Sequence, residues 1–494
     1  VAAVSSFGMS GTNAHAVVVE VSSSFALSST SVALSRPSLL CFSAKSHGSL
    51  LTLADRYSVL LSDLSAAPID IPSLCAASLL CRYHHSQFRI AIVIHGSSHR
   101  REQQLRLSAT LSQIAKCADV LTDGTSSTCP SGFSAKGGIA FLFTGQGAQY
   151  ENAGRILYED VTAGATVAFA QAMNKCDTVL KRLFDGRSML EILYPPAIAS
   201  SLLPGLGGAG KTSTAQPGEA AGQVPAIRQT KFAQAILFMI EYSLVELWAS
   251  LGVVPTLVMG HSVGEVVAAL IAGAFNRLED GLRLVEARGR LMGSLEHGDC
   301  GTRTGVMVAL SAPENAVIAA QAAGSLVNPG EAIGTRASLA AVNGPRQVVV
   351  SGELASVNEL IARVEQQMRT ESEGAKSLKP QVLNVSNAFH SHMMDSILDE
   401  FEREISGAVQ FSTMDPSNSS AGMAVRMIST VTGKPADQAE IRSAGYWRKQ
   451  LRETVQFDKA LRTTISGGCR IFIEVGPHPV LLGMMELAAT GDAL

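Results

Sequence analysis

The run Gly260-His261-Ser262-Val263-Gly264 constrains this chain more than any other feature. It follows an apolar stretch, Val253 to Met259, that reads as a buried strand, and it leads into Val263 to Phe275, which reads as a helix. A serine at such a junction stands at the tip of a tight turn. The residues two before and two after it must be small, because strand and helix converge there. The hydroxyl is then presented at a helix N-terminus, where free N–H groups and the dipole favour a developing negative charge. Strand, tight turn and helix in that order call for a largely parallel sheet covered by helices.

The alternation recurs along the chain. Ile139-Ala140-Phe141-Leu142-Phe143 is a short apolar run ended by Thr144-Gly145, and Phe232 to Leu251 has helical spacing. From Gly305 to Val364 the pattern is strand (306–310), helix (313–323), strand (339–342), strand (347–351), helix (354–368). That order suits a small ferredoxin-like unit. Residues 380–485 return to α/β character and end in the strand 471–475. Upstream, residues 39–42 and 90–94 read as strands, and 50–64 and 71–81 as helices. Ser22 to Ser35 reads as a linker, Leu121 to Gly138 as a boundary, and Pro195 to Gln223 as a surface insertion rich in Pro, Gly, Ala and Ser.

A length of 494 residues suits two to four folding units. With 39 basic against 42 acidic residues and no basic run, binding to a nucleic-acid backbone is not expected. The greasiest stretch, Phe232 to Met259, carries Glu241, Glu246 and Pro255, so no membrane span is expected. No signal peptide opens the chain, which begins at Val1 and reads as a piece of a longer polypeptide. The eight cysteines form no C-x-x-C pair, and no histidine cluster has zinc spacing. No metal site is expected, and free thiols point to a reducing compartment, the cytoplasm.

One motif is set aside. Gly205 to Thr212 fits the phosphate-loop pattern G-x-x-x-x-G-K-[ST]. That chemistry needs a buried strand before the loop and a helix after it. Pro204 precedes this one and Ser213-Thr214-Ala215-Gln216-Pro217-Gly218 follows it, so the run belongs to the insertion.

A serine nucleophile needs a base. Among the eleven histidines, His390 and His392 follow the strand-like run Gln381 to Val385, and His478 sits in Gly476-Pro477-His478-Pro479. Spacing favours His390 or His392 and keeps His478 as a third candidate, since such groups converge from separate loops.

Seven motifs in order now carry a resemblance. They are Phe141 to Gln149 (FLFTGQGAQ), Gly260 to Glu265, Glu286 to Met292 (EARGRLM), Val342 to Pro345, Ala388 to Ser391, Tyr446-Trp447, and Ile473 to Pro479. Residues 139–486 resemble the acyltransferase domain of modular polyketide and fatty acid synthases. That family reaches to the stand-alone bacterial malonyl-CoA:acyl-carrier-protein transacylase. Ser5 to His15 resembles the Gly-rich C-terminal segment of a ketosynthase, and residues 38–135 the linker domain that follows one. The resemblance implies an α/β fold, with an α/β-hydrolase-like large subdomain (138–303 and 377–486), an inserted ferredoxin-like small subdomain (304–376), and the small α/β linker domain (38–135) ahead. Residues 1–22 become a ketosynthase tail and 23–37 a linker.

The resemblance also implies roles. Ser262 attacks the thioester of malonyl-CoA and His390 takes its proton. Backbone N–H groups of Gln146 and Val263 hold the oxyanion. The acyl group passes from Ser262 to the phosphopantetheine arm of an acyl carrier protein, with no intrinsic cofactor. No Asp is placed to orient His390; family members use backbone carbonyls, here expected from the loop around Gly476-Pro477-His478. Arg288 would pair bidentately with the free carboxylate of the substrate, with His261 and Gln234 lining the same pocket. The plain alternative for a lone Arg is a surface residue at a helix end. The elbow-to-Arg spacing is one residue longer than usual, which points to a small insertion at Asn276-Arg277.

Phe389 stands where methylmalonyl-selective domains carry Ser, Val263 where they often carry Gln, and Gln229 to Gln234 looks malonyl-type. Asn387 departs from the usual His of the malonyl motif. Malonyl is the expected extender unit, with leakage allowed because a methyl group in a pocket is worth only about 1–3 kcal/mol. Expected partners are the carrier protein and the adjoining ketosynthase, with the isolated piece a monomer. Two rivals stand beside this reading. A serine hydrolase of α/β-hydrolase type shares the elbow but gives Arg288 no job. An idle docking scaffold would need no intact Ser262, His390 and Arg288.

Overall fold

The structure, a computed structural model, describes residues 2–7, 13–18, 38–63, 65, 68–80, 85, 88–94, 100–116, 138–160, 164–195, 224–295, 305–327, 336–371, 378–385, 387–413 and 425–489. The expected linker at 23–37, the run Gly205 to Thr212 and most of the insertion around it lie outside the described residues. The chain divides into two compact units, Val1–Ala135 and Lys136–Leu494.

In the first unit, β1 (Ala2–Phe7) and β2 (Asn13–Val18) pair antiparallel. Then come β3 (Ser38–Ala44), α1 (His47–Ser62), α2 (Ile71–Leu80), β4 (Phe88–Ile94) and α3 (Arg100–Lys116). β3 and β4 pair antiparallel along their whole length. Strand alternation sends Leu40, Phe42 and Ala44, with Ile90, Ile92 and Ile94, to one buried face. Leu50, Ala54, Tyr57 and Leu61 of α1 and Leu107, Leu111 and Ile114 of α3 join the same core at helical spacing. Gln104 satisfies two backbone groups there, donating to Leu61 O at 2.8 Å and accepting from Ile69 N at 3.1 Å.

The second unit opens with β5 (Ile139–Phe143), α4 (Arg155–Glu159), α5 (Gly164–Leu183) and α6 (Met189–Leu193). α7 (Thr230–Ser250), β6 (Leu257–Gly260), α8 (Gly264–Ile271) and α9 (Leu278–Ser294) follow. By length and composition α7 could cross a membrane, yet 67% of its most apolar window is buried inside the protein, as for a core helix. β6 is shorter than the sequence implied, because Pro255 has no N–H to give a ladder. α8 stops early, at a glycine with φ of 78°, Gly273.

Next come β7 (Gly305–Leu310), α10 (Glu314–Val327), β8 (Ala337–Gly344), β9 (Gln347–Glu353), α11 (Leu354–Glu371) and β10 (Gln381–Val382). The chain ends with α12 (Asp395–Ala408), β11 (Arg426–Met427), α13 (Gln438–Ile441), α14 (Ala444–Arg452), α15 (Phe457–Ser466), β12 (Ile471–Val475) and α16 (Leu481–Ala489).

These strands make two sheets. The first is wholly parallel, in the order β11-β6-β5-β12. β5 and β6 are buried on both faces almost throughout, which is why they read as continuous apolar runs. Phe143 stands opposite Gly260, so the turns leaving both strands emerge side by side. The second sheet is antiparallel, in the order β10-β7-β9-β8. One face (Val308, Leu310, Val348, Val350) forms a core with α10 and α11, while Met307, Ala340, Ala341 and Val349 join the larger core. A register shift between Leu339 and Ala341 interrupts the alternation of β8, and the adjacent Ala340 and Ala341 both join the larger core. The boundary expected at 376 is corrected here. β10 pairs with β7, and Leu383 N donates to Met307 O, because an antiparallel sheet takes its fourth strand from the returning chain.

Candidate active site

The elbow has the predicted tightness. A Cβ on Gly260 would fall 2.2 Å from Gly264 C, and one on Gly264 would fall 2.5 Å from Thr144 O. Ser262 between them has φ of 50°, a left-handed backbone that serine adopts only under constraint. Gly264, Glu265 and Val266 give their N–H groups to carbonyls three residues earlier, which leaves the Val263 N–H outside that series.

Ser262 Oγ lies 2.8 Å from His390 Nε2. His390 also has positive φ, 55°. Its Nδ1 lies 2.9 Å from the carbonyl of Glu453. A carbonyl only accepts, so Nδ1 carries the proton and Nε2 is the lone-pair nitrogen facing the serine. Burial, then the Arg288 guanidinium and His261, push the imidazole down to about 3, against the Glu453 carbonyl. At neutral pH the histidine is an uncharged acceptor.

The source of that carbonyl corrects the sequence reading. It comes from Glu453, not from the loop at Gly476-Pro477-His478. α14 ends at Arg452, and Glu453 turns extended with its own N–H spent on Lys449 O. The Gly476 loop packs on Thr144 instead, where a Cβ on Gly476 would meet Thr144 Oγ1 at 2.4 Å. His478 is exposed. His392 faces Glu353, 4.0 Å away, rather than the serine.

Arg288 is 1% exposed. Its Nη2 donates to Ser262 Oγ at 3.1 Å and its Nη1 to Gln234 Oε1 at 2.8 Å. Its Nε has no partner, and no carboxylate is hydrogen-bonded to the guanidinium among the described residues. Burial lowers its pKa to about 10, which leaves it cationic at neutral pH, with Glu265 opposing the shift. Gln234 donates in turn to Gln146 Oε1 at 3.1 Å, and Gln146 Nε2 to Thr230 Oγ1 at 3.2 Å. His261 is held by Asn343 Oδ1 at 2.8 Å, and burial lowers its pKa. Phe389 is packed into the core beside His390. The turn at Asn276 is anchored, its N–H donating to Gln410 O.

Ser262, His390, Arg288, Gln234 and Gln146 are therefore linked in one chain of hydrogen bonds, with His261 beside it. The sequence reading gave no role to several supporting groups. Gln450 donates to Ser262 O at 2.7 Å, and buried Glu265 accepts from Thr430 N, Thr430 Oγ1 and Tyr446 Oη. Asn343 and Tyr446 lie inside motifs that carried the resemblance, which was the one available signal. Gln450 and Glu453 had none. Together the arrangement offers a serine hydroxyl, a neutral acceptor beside it, and a buried cation to which no carboxylate is hydrogen-bonded among the described residues.

Residues 140–492 match the family model of the acyl transferase domain. Over its whole length the chain is 31% identical to erythronolide synthase EryA3 of Saccharopolyspora erythraea, and spans 13% of that protein. The solved acyl transferase domain of ZmaA is 25% identical, with a TM-score of 0.67 over 92% of this chain and 87% of that one. The MCAT of Streptococcus pneumoniae shares the fold at 22% identity, with a TM-score of 0.54 over 71% of this chain and 93% of that one.

Proposed function

The chain belongs to the acyl transferase domain family, and on that premise we propose that it carries a malonyl group from malonyl-CoA to an acyl carrier protein within a modular synthase. The observation that carries the substrate class is the buried Arg288 guanidinium, which is hydrogen-bonded to no carboxylate among the described residues and reaches Ser262 Oγ at 3.1 Å. A buried cation calls for an anion. An acyl group ending in a free carboxylate supplies one beside the nucleophile, with Gln234 orienting the guanidinium and His261 on the same wall.

Ser262 Oγ attacks the thioester carbonyl while its proton passes to His390 Nε2. The N–H groups of Val263 and Gln146 receive the oxyanion, each such donor being worth about 3–4 kcal/mol. The C–S bond then breaks, and His390 returns the proton to the departing CoA thiolate. The ester on Ser262 waits for the phosphopantetheine thiol. His390 takes the thiol proton, the thiolate attacks, and the proton goes back to Ser262 as the new thioester leaves. No step needs a resident cofactor or metal. Phe389 narrows the space for an α-methyl branch, which favours malonyl over methylmalonyl.

In this reading residues 138–303 and from about 384 to 486 are an α/β-hydrolase-like large subdomain, with a ferredoxin-like small subdomain between them. Residues 38–135 are the linker domain that follows a ketosynthase, and 1–22 that ketosynthase's tail. The setting is a reducing cytoplasm, the partners are a carrier protein and the ketosynthase, and the isolated piece is a monomer.

Intact-protein mass spectrometry after brief exposure to malonyl-CoA, methylmalonyl-CoA and acetyl-CoA in competition tests the reading. A malonyl adduct absent from Ser262→Ala is expected. A dominant acetyl or methylmalonyl adduct would overturn the substrate assignment. Free malonate without transfer to carrier protein would turn the reading to a hydrolase.

A further inference from the structure

We propose that Glu241 is a positioning residue that acts through Thr144 to hold the Gly145-Gln146 turn against the nucleophile. This role rests on the reading of the Gln146 N–H as an oxyanion donor.

α7 is apolar along most of its length, but Thr230, Gln234 and Glu241 are all wholly buried. Their separations of four and seven residues put them within about 40° of one another around the helix axis. All three are spent on one short turn. Thr230 Oγ1 accepts from Gln146 Nε2, Gln234 Nε2 donates to Gln146 Oε1, and Glu241 Oε1 accepts from Thr144 Oγ1 at 2.6 Å. The turn is thus tied to α7 on both sides of Gly145. A Cβ on Gly145 would stand 2.9 Å from His261 Nδ1, so the turn is pressed on the nucleophile's neighbour. The Thr144 carbonyl occupies the space that a Gly264 side chain would need. Movement of Thr144 therefore reaches both the oxyanion turn and the first turn of α8.

Packing alone does not account for an acid here. Oε2 of Glu241 has no hydrogen-bond partner among the described residues, and an unpartnered buried oxygen is a cost that an apolar residue would avoid. Burial raises the pKa of the carboxyl well above the ordinary range and Glu474 adds to the shift, while bonds from Thr144 oppose it. What Thr144 uses is one acceptor oxygen of the side chain, which an amide also supplies.

The test is the single-turnover rate of Ser262 malonylation in the full chain, read as a function of malonyl-CoA concentration for Glu241→Leu, Glu241→Gln, Thr144→Val and the Leu/Val double variant. Glu241→Leu and Thr144→Val should lower the limiting rate about 10- to 100-fold, the scale of a small misplacement near the reacting atoms. Half-saturation should stay unchanged. Glu241→Gln should keep the wild-type rate, and the double variant should be no slower than the slower single one. Thr144→Val keeps the shape of threonine and serves if Glu241→Leu does not fold. A wild-type limiting rate in Thr144→Val or Glu241→Leu, or a fall in Glu241→Gln as deep as in Glu241→Leu, would overturn the proposal while leaving the acyltransferase reading intact. A wild-type chain that takes no malonyl group would bring down that reading, and this proposal with it.

Discussion

Arg288 does two things to its neighbours at once. In the proposed reaction it offers a cation to the substrate, and it holds down the pKa of His390. Arg288→Met keeps an unbranched stem, shorter than that of arginine, and removes both effects. Malonylation should slow by about 30-fold or more, since losing one partner of a buried charged pair costs about 2–5 kcal/mol. The second effect is read with an uncharged serine reagent, whose attack needs neutral His390 but no carboxylate. In the wild type the acid limb of that reaction should lie below the ordinary histidine range, near the depressed value of about 3. Removing a positive neighbour favours the imidazolium, so the limb should move to higher pH in Arg288→Met. An unmoved limb would show that Arg288 does not reach His390 electrostatically. Glu241 gives a residue-scale prediction about stability. Its folded pKa is raised above the ordinary 4.5, so the folded chain binds more protons than the unfolded one in the window above 4.5. Stability then falls as pH rises through that window. Glu241→Gln has no such proton, so its melting temperature should gain on the wild type as pH rises from about 4.5 to 8. Parallel curves for the two proteins would contradict the shift.

At the scale of elements, two short pieces set the distance between nucleophile and base. The β6–α8 elbow presents Ser262, and α14 reaches both partners. Gln450 of α14 holds the Ser262 carbonyl, and Glu453, just past its end, orients His390. Gly264→Ala tests the elbow. Its methyl would face backbone on two sides, 2.5 Å from Thr144 O and 2.6 Å from Phe143 O. Backbone cannot swing aside as a side chain does, so a loss of about 1–3 kcal/mol or more is expected, together with malonylation. It would be seen in a denaturant melt and in the adduct assay. A wild-type melt would refute the tightness of the turn. The elbow was legible in the sequence because its glycines answer a local steric demand. Arg288 was legible only through a motif, while spacing left His390 level with His392 until a motif separated them. The Glu453 carbonyl was not legible at all, since every residue has one and only the tertiary fold says which lies near an imidazole. The run Gln381 to Val385 misled for a related reason. It does form a strand, of two residues, but no local pattern says that this strand completes the antiparallel sheet rather than the parallel one.

At the scale of the molecule, the two sheets of the second unit are joined by hydrogen bonds close to Ser262 and His390. The antiparallel sheet sends Asn343 of β8 to His261, and the segment after α14 lies along the edge of β8. Val455 N donates to Ala340 O, Val342 N to Val455 O, and Thr454 Oγ1 to Leu339 O at 2.6 Å. The same segment begins with Glu453, whose carbonyl orients the base, so the edge of the smaller sheet and the position of His390 are tied by two peptide units. Thr454→Val removes one of those ties without changing side-chain shape. It should lower the limiting rate of malonylation more than the melting temperature, because the loss of one hydrogen bond is only about 0.5–1.5 kcal/mol. All of these groups, and every candidate site residue, lie within Lys136–Leu494. That unit has its own two cores, separate from the core of residues 38–116. A chain beginning at Lys136 should therefore fold and take a malonyl group on Ser262 at the rate of the longer one, measured by the same mass shift. If it folds but acylates slowly, the chemistry depends on the first unit as well, and the requirements of the reaction extend beyond the set of side chains gathered around Ser262.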